Sequence, residues 1–396
     1  MLDTTIAPIQ ADQAPRLDVP LLESVTRPLV RSDVRSKLGL LVSPVFIIIS
    51  RAYLLLIHFW MHYIGVPFAN YYNLHHMASD GLPSFECVNI ERDVQYGDLS
   101  SELMDVLAPK EKSSGKFVLY IHGGGFVSVH RGVLNHSITP LVRAGFTVFS
   151  IDYPLAPKYR YPSPVVSVLK CLAYIREHYG VSHVQVLGDS AGGCIASMSV
   201  AAACNPEGRW HPKVRECLKQ HEFPRIEGVA LLYSICDVSS WTQRSCNSIG
   251  SWCLRAIILV CLALYKSESD DKITLLENID KVTSFPRTFL LCGHNDILDV
   301  SHAALAEALH EKGTHTTTMV LPGFHGFHGL PVPFSLGSWR RTVYPANCAL
   351  IQWLCNGSDS RVPALPKWSF AEFNLHLPIV LVVLHVVPVY VAWCCL

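Results

Sequence analysis

Residues Gly188-Asp189-Ser190-Ala191-Gly192-Gly193 constrain this chain more than any other stretch. An apolar run, Val184-Gln185-Val186-Leu187, leads into them, and a small-residue run from Ala191 to Ala203 leaves them. The order is strand, sharp turn, helix. Gly-x-Ser-x-Gly in that setting holds a serine hydroxyl out at the top of a sheet. Glycines flank Ser190 because the turn leaves no room for Cβ atoms and forces an unusual backbone angle. The following helix turns its partial positive end towards any anion that develops there.

A second motif points the same way. His122-Gly123-Gly124-Gly125-Phe126 follows another apolar run, Phe117 to Ile121. Consecutive glycines after a strand leave backbone N–H groups unobstructed, as an oxyanion hole requires. Gly123, Gly124 and Gly125 are the predicted loop, completed by the N–H of Ala191. Within it Gly124, Gly125 and Ala191 are the expected donors and Gly123 shapes the turn. Each donor is worth roughly 3 kcal/mol to the transition state. His122, placed before the glycines, reads as a supporting residue whose ring fixes the loop.

With these blocks the chain resembles the hormone-sensitive-lipase group of α/β-hydrolases, which includes bacterial esterases, arylacetamide deacetylases and fungal steryl acetyl hydrolases. The resemblance extends through Asp152-Tyr153-Pro154-Leu155-Ala156-Pro157, Gly293 to Asp299, and Gly323-Phe324-His325-Gly326-Phe327, over roughly residues 115 to 355. Two positions depart from the group: it usually carries Arg where Pro154 stands and Glu where Lys158 stands. The resemblance implies an α/β-hydrolase fold, with a cap drawn from the N-terminal segment and an insertion.

The hydrophobic pattern is consistent with that fold. Candidate strands are Phe117–Ile121, Phe146–Ile151, Val184–Leu187, Val229–Tyr233, Thr288–Cys292 and Thr316–Leu321, separated by helical stretches such as Pro164–His178 and Val300–Lys312. Short β-rich runs alternating with helices imply a mostly parallel sheet covered on both faces. The expected division is a leader over 1–37, an apolar segment over 38–85, the hydrolase domain over 86–360, and a tail over 361–396. A cap insertion falls at about 204–285. Its Cys253–Tyr265 run reads as a cap helix over an apolar pocket, or as a buried core helix.

An acyl-transfer serine needs a base, and the base needs an orienting carboxylate. In an α/β-hydrolase the chain order is Ser, Asp or Glu, then His. Ser190, Asp296 and His325 satisfy it. Asp299 is the rival carboxylate, better placed to cap a helix starting near Val300. His328 repeats the His-Gly pattern three residues on and is the alternative base. His294 and His302 read as loop or helix residues, Asp189 as a structural contact, and Asp152 and Asp237 as loop-fixing groups.

Composition narrows the rest. Lys+Arg and Asp+Glu are equal at 32 each, so no global charge draws the chain to nucleic acid. The 14 cysteines form no zinc-spaced cluster, and no metal or organic cofactor is expected. Charged residues make up only 16% of the chain and the mean hydropathy is +0.27, which directs attention to two apolar segments.

Leu38 to Val66 is long enough to span a bilayer, although Arg51 would cost about 3 kcal/mol there. Leu377 to Leu396 carries no formally charged residue and is long enough as well. Membrane contact is the expectation, with the endoplasmic reticulum as the compartment considered. Cap helices and a soluble cytoplasmic protein are the alternatives.

The predicted activity is hydrolysis of carboxylic esters of apolar, short-acyl substrates. An amidase, a deacetylase or an acyltransferase with the same triad is the alternative, and a non-catalytic ligand receptor on the same scaffold is a further one. Sequence leaves the oligomeric state open.

Overall fold

The strand Phe117–Ile121 sends Val118 and Tyr120 to one side and Leu119 and Ile121 to the other, and all four are buried. A strand buried on both faces has to lie inside a covered sheet. The computed structural model describes residues 88–110, 113–132, 135–242, 249–268, 271–328 and 343–356. The predicted leader over 1–37, the apolar segment over 38–85 and the tail over 361–396 lie outside the described residues. Among the described residues, no helix is long and apolar enough to cross a membrane.

In chain order the elements are β1 (Val88–Gln95), β2 (Leu103–Pro109), β3 (Phe117–Ile121), α1 (Asn135–Arg143), β4 (Thr147–Ile151), α2 (Ser163–Tyr179), β5 (His183–Asp189) and α3 (Ala191–Cys204). Then come α4 (Pro212–Gln220), β6 (Arg225–Leu232), α5 (Ile249–Tyr265), β7 (Arg287–Gly293), α6 (Asp299–Glu311), β8 (Thr316–Leu321) and α7 (Tyr344–Asn356). A single helical turn, Ser239–Thr242, and a 3-10 helix, Leu276–Lys281, lie in the connections.

The strands form one eight-stranded sheet in the order β1-β2-β4-β3-β5-β6-β7-β8. From β4 onward neighbours are parallel, whereas β1–β2 and β2–β4 are antiparallel. This is the α/β-hydrolase architecture. One face packs on α2, α3, α4, α5 and α6, and the other on α1 and α7.

β1 and β2 fall outside the strands predicted from sequence. β1 carries Glu91, Arg92 and Asp93 on an exposed antiparallel edge, so it lacks an unbroken apolar signature. The polar stretch after Asn205 also contains a helix, α4. Pro212 opens it, and His211 caps it by accepting the Lys213 N–H through Nδ1 at 3.2 Å. Within the predicted cap region, β6 belongs to the central sheet.

Parallel pairing brings the carboxyl ends of β3 to β8 to one rim, where the connecting loops carry the polar residues. Ile121 pairs with Gly188 and Gly293 with Leu321, so the loops after β3, β5, β7 and β8 leave the sheet at matched heights.

Candidate active site

β5 ends directly on Ser190, which is held at φ 50° and ψ −120°. A residue other than glycine in this region is strained. Crowding holds it there: a Cβ at Gly192 would sit 2.2 Å from the Ile121 carbonyl oxygen and 2.3 Å from that of His122. With glycine at this position, α3 starts hard against the end of β3. Ala191 is the first helical residue, so its N–H has no intrahelical acceptor.

The sequence-predicted Ser190, Asp296 and His325 are brought together. Ser190 Oγ lies 2.8 Å from His325 Nε2. His325 Nδ1 lies 2.9 Å from Asp296 Oδ2. An ionised carboxylate only accepts, so Nδ1 carries the proton and Nε2 presents its lone pair to the serine.

Asp296 is buried, and its Oδ1 accepts the Leu298 N–H at 3.0 Å. The Tyr233 and His325 rings pack in a T-shaped contact, 5.4 Å between centroids and 72° between planes. Burial opposes charge on His325. The Asp296 carboxylate outweighs it through charge and hydrogen bonding and holds the imidazole pKa above 6.5.

The other predicted histidines face elsewhere. The alternative base His328 is buried, with Nε2 at 2.7 Å from Asn347 Oδ1 on α7. His302, on α6, accepts the Ser234 N–H through Nε2 at 2.8 Å, and burial lowers its pKa to about 4. Asp299 is the first residue of α6 and Leu298 is its N-cap. Asp299 is therefore not the helix cap anticipated from sequence.

The glycine loop sits over the serine. Gly124 and Gly125 have φ of 102° and 64° and are half-buried at the rim of the site. Among the described residues no acceptor takes their N–H groups. Gly123 differs. Its N–H donates to Asp189 Oδ1 at 2.9 Å, and the Tyr120 hydroxyl donates to the same oxygen at 2.7 Å. Gly123, read from sequence as the residue that shapes the turn, therefore has its N–H tied to Asp189. This leaves the N–H groups of Gly124, Gly125 and Ala191.

His122 Nδ1 donates to the Gly123 carbonyl at 2.7 Å, and the ring stacks on Tyr153 at 4.6 Å. The Tyr153 hydroxyl donates to the carbonyls of His122 at 2.9 Å and Gly123 at 3.2 Å. Asp152 faces the other side of the His122 ring, with Oδ1 at 3.5 Å from Nε2. Asp237 fixes its own loop by accepting from Ser240 N at 2.8 Å and from the hydroxyls of Ser239 and Ser240. The contacts of Tyr120 and Tyr233 belong to no motif and escape sequence reasoning, and Tyr153 stands in the Asp152–Pro157 block without its hydroxyl contacts being legible there.

α5 roofs the loop. Cys261 Sγ lies 2.7 Å from the point where a Gly125 Cβ would stand. One turn on, Tyr265 stacks on Phe126 with centroids 4.0 Å apart and rings 5° from parallel.

A family described as alpha/beta hydrolase fold matches residues 118–329, more than half of the chain. The chain belongs to this family, the hormone-sensitive-lipase-like α/β-hydrolases. Lipase 2 of Moraxella sp. (strain TA144) is 25% identical over 258 residues, covering 58% of this chain and 58% of that protein. An acetyl esterase of Salmonella typhi is 31% identical over 110 residues, 26% of this chain and 33% of that protein. The chain thus spans little more than half the length of the curated relatives it matches, or less.

Among solved structures, esterase B from Lactobacillus Rhamnosis aligns over 77% of this chain and 95% of that one, with a TM-score of 0.59 and 19% identity. A bacterial heroin esterase aligns over 73% and 92%, with a TM-score of 0.55 and 22% identity. At these identities the structures share the fold.

Proposed function

We propose that this protein is a serine hydrolase that cleaves carboxylic esters of apolar substrates with short acyl groups. The observation that carries the reading is the unbroken line Ser190 Oγ to His325 Nε2 at 2.8 Å and His325 Nδ1 to Asp296 Oδ2 at 2.9 Å. His325 Nε2 takes the proton as Ser190 Oγ attacks the ester carbonyl. Asp296 keeps the proton on Nδ1 and stabilises the imidazolium. The N–H groups of Gly124, Gly125 and Ala191 receive the negative oxygen. The imidazolium then protonates the departing alkoxide. Water, deprotonated by the same nitrogen, hydrolyses the acyl-enzyme and frees Ser190.

The short-acyl preference is supported by the roof over the loop. Cys261 crowds Gly125, and Tyr265 closes on Phe126, both within one turn of α5. The acetyl esterases among the relatives agree with it. Attachment to membranes is proposed from the sequences of 38–66 and 377–396 alone.

The test is a chain-length series of p-nitrophenyl esters together with fluorophosphonate labelling of purified protein. Labelling and acetate hydrolysis should both vanish in Ser190→Ala. Hydrolysis at the wild-type rate by that variant removes Ser190 from the chemistry. Preference for long-chain triglyceride overturns the acyl assignment, and full release by alkaline carbonate overturns the membrane attachment.

A further inference from the structure

Arg131 lies in the loop that follows the glycines, with only 3% of its side chain exposed. It pairs with three carboxylates, Asp93, Asp105 and Asp152. Burying a guanidinium is costly unless its partners are well placed. Here Nε meets Asp105 Oδ1 at 2.8 Å. Asp105 is buried within β2, in register with Ser150 of β4, so this end of the contact is fixed to the sheet. The Ser150 hydroxyl also donates to the Arg131 carbonyl at 3.1 Å.

Both oxygens of Asp152 are engaged by Arg131. Oδ1 accepts the Arg131 backbone N–H at 2.6 Å and Oδ2 accepts from Nη1. That leaves Asp152 aimed at His122, whose Nδ1 holds the Gly123 carbonyl. Burial disfavours the Asp152 carboxylate, yet His122, His130 and Arg131 hold its pKa below the ordinary range. Hydrogen bonds thus run from β2 through Arg131 to Asp152, and Asp152 Oδ1 stands 3.5 Å from His122 Nε2, a longer polar contact, with the same ring holding the start of the glycine loop.

The end of that loop nearer Arg131 is strained. Phe126 and Val129 have φ of 67° and 78°, and for β-branched Val129 this is a marked outlier. The Gly124 carbonyl accepts from Val127 N, Ser128 N and Ser128 Oγ at 3.2, 3.1 and 2.9 Å. Such a backbone persists only where its surroundings over-determine it. Arg131, two residues beyond Val129, is the first anchor to the sheet after the strained segment.

We propose that Arg131 is a positioning residue for the oxyanion loop. By clasping Asp105 and Asp152 it pins the loop at both ends and sets the N–H groups of Gly124 and Gly125 over Ser190. Arg131 touches no reacting atom. Its role in turnover rests on the esterase reading above, whereas its hold on the loop does not.

The test compares the full-length wild type with Arg131→Met, Arg131→Lys and the isosteric Asp152→Asn. Turnover per fluorophosphonate-titrated site and amide hydrogen exchange over residues 122–129 are read together. Arg131→Met should lower kcat by about 10- to 100-fold, the usual cost of losing a supporting contact, with KM within about threefold. Arg131→Lys should fall between it and the wild type, because one ammonium cannot hold both carboxylates in a fork.

Exchange over 122–129 should quicken in the same order. A residue that only stabilises the fold would lower the melting temperature and leave kcat per titrated site alone. Unchanged kcat per site, or unchanged exchange, in the variants overturns the proposal. If Arg131→Met does not fold, Arg131→Lys and Asp152→Asn decide. If the wild type cleaves no ester, the enzymatic reading fails, and the exchange comparison still decides whether Arg131 holds the loop.

Discussion

Asp296 divides its carboxylate between two tasks: Oδ2 meets His325 Nδ1 at 2.9 Å, and Oδ1 holds the Leu298 N–H at 3.0 Å. The second contact orients the first, since a carboxylate fixed at one oxygen cannot swing away from the ring. The pairing also raises the pKa of His325. A base has to be neutral to take a proton, so activity rises as pH climbs through that raised value. The acid limb of kcat/KM should have its midpoint above 6.5, read from a pH–rate profile. Linkage runs the opposite way. The stabilisation from the charged pair is full below the unfolded imidazole's pKa and is lost as pH rises through the folded one.

Asp296→Asn keeps the shape of this arrangement and removes its charge. An amide can present an N–H to Nδ1, which forces the ring proton onto the nitrogen facing Ser190. The expected loss in kcat is about 10⁴-fold, with labelling by fluorophosphonate slowed in parallel. A variant within tenfold of the wild type would show that the carboxylate is not needed.

Gly124→Ala tests the loop. The new methyl would lie 2.2 Å from the Ser128 carbonyl oxygen and 2.7 Å from Val129 Cγ2, at a φ of 102°. The backbone has to move, and the N–H moves with it. The expected effect is a fall in kcat of about 10²- to 10³-fold with little change in KM, measured on p-nitrophenyl acetate.

Cys261 offers a test of the proposed acyl-size limit. Cys261→Ala removes the sulfur that abuts Gly125. The ratio of kcat/KM for butyrate to that for acetate should rise by about tenfold or less, the worth of roughly one methylene. Cys261→Trp should depress all esters, because the indole has to displace either the loop or α5.

His328 is the contrast to His325. It is buried against Asn347 on α7, at 2.7 Å. His328→Leu leaves the Asn347 amide unsatisfied and should cost about 1–3 kcal/mol of stability, read by urea unfolding. Activity of the folded fraction should stay within about threefold of the wild type.

Some of this architecture is legible in the sequence because local chemistry demands it. The elbow at Ser190 needs its glycines, and the loop after β3 needs Gly124 and Gly125 at positive φ. His325 and His328 share nearly the same neighbours in sequence and separate only through packing, one toward β5 and one onto α7.

β1 was not legible, since three consecutive charged residues break the apolar pattern that marks the interior strands. Arg131 was not legible either. Its partners at 93, 105 and 152 stand at no periodic interval, and a lone arginine in a loop reads as a solvated charge. Gly123 is a subtler case: its place in the turn is legible, but the Asp189 carboxylate that claims its N–H comes into view only with the fold.

The loops after β3, β5, β7 and β8 bring their residues to the rim in chain order, with the histidine last. A ribosome therefore extrudes the proposed nucleophile long before its proposed base. A nascent chain that stops short of residue 325 carries Ser190 and the glycine loop, but its hydroxyl stays an ordinary alcohol, harmless to nearby esters. On the proposed mechanism reactivity waits until β8, the last strand among the described residues, joins the sheet, so loss of β8 should silence the protein while most of the core stands.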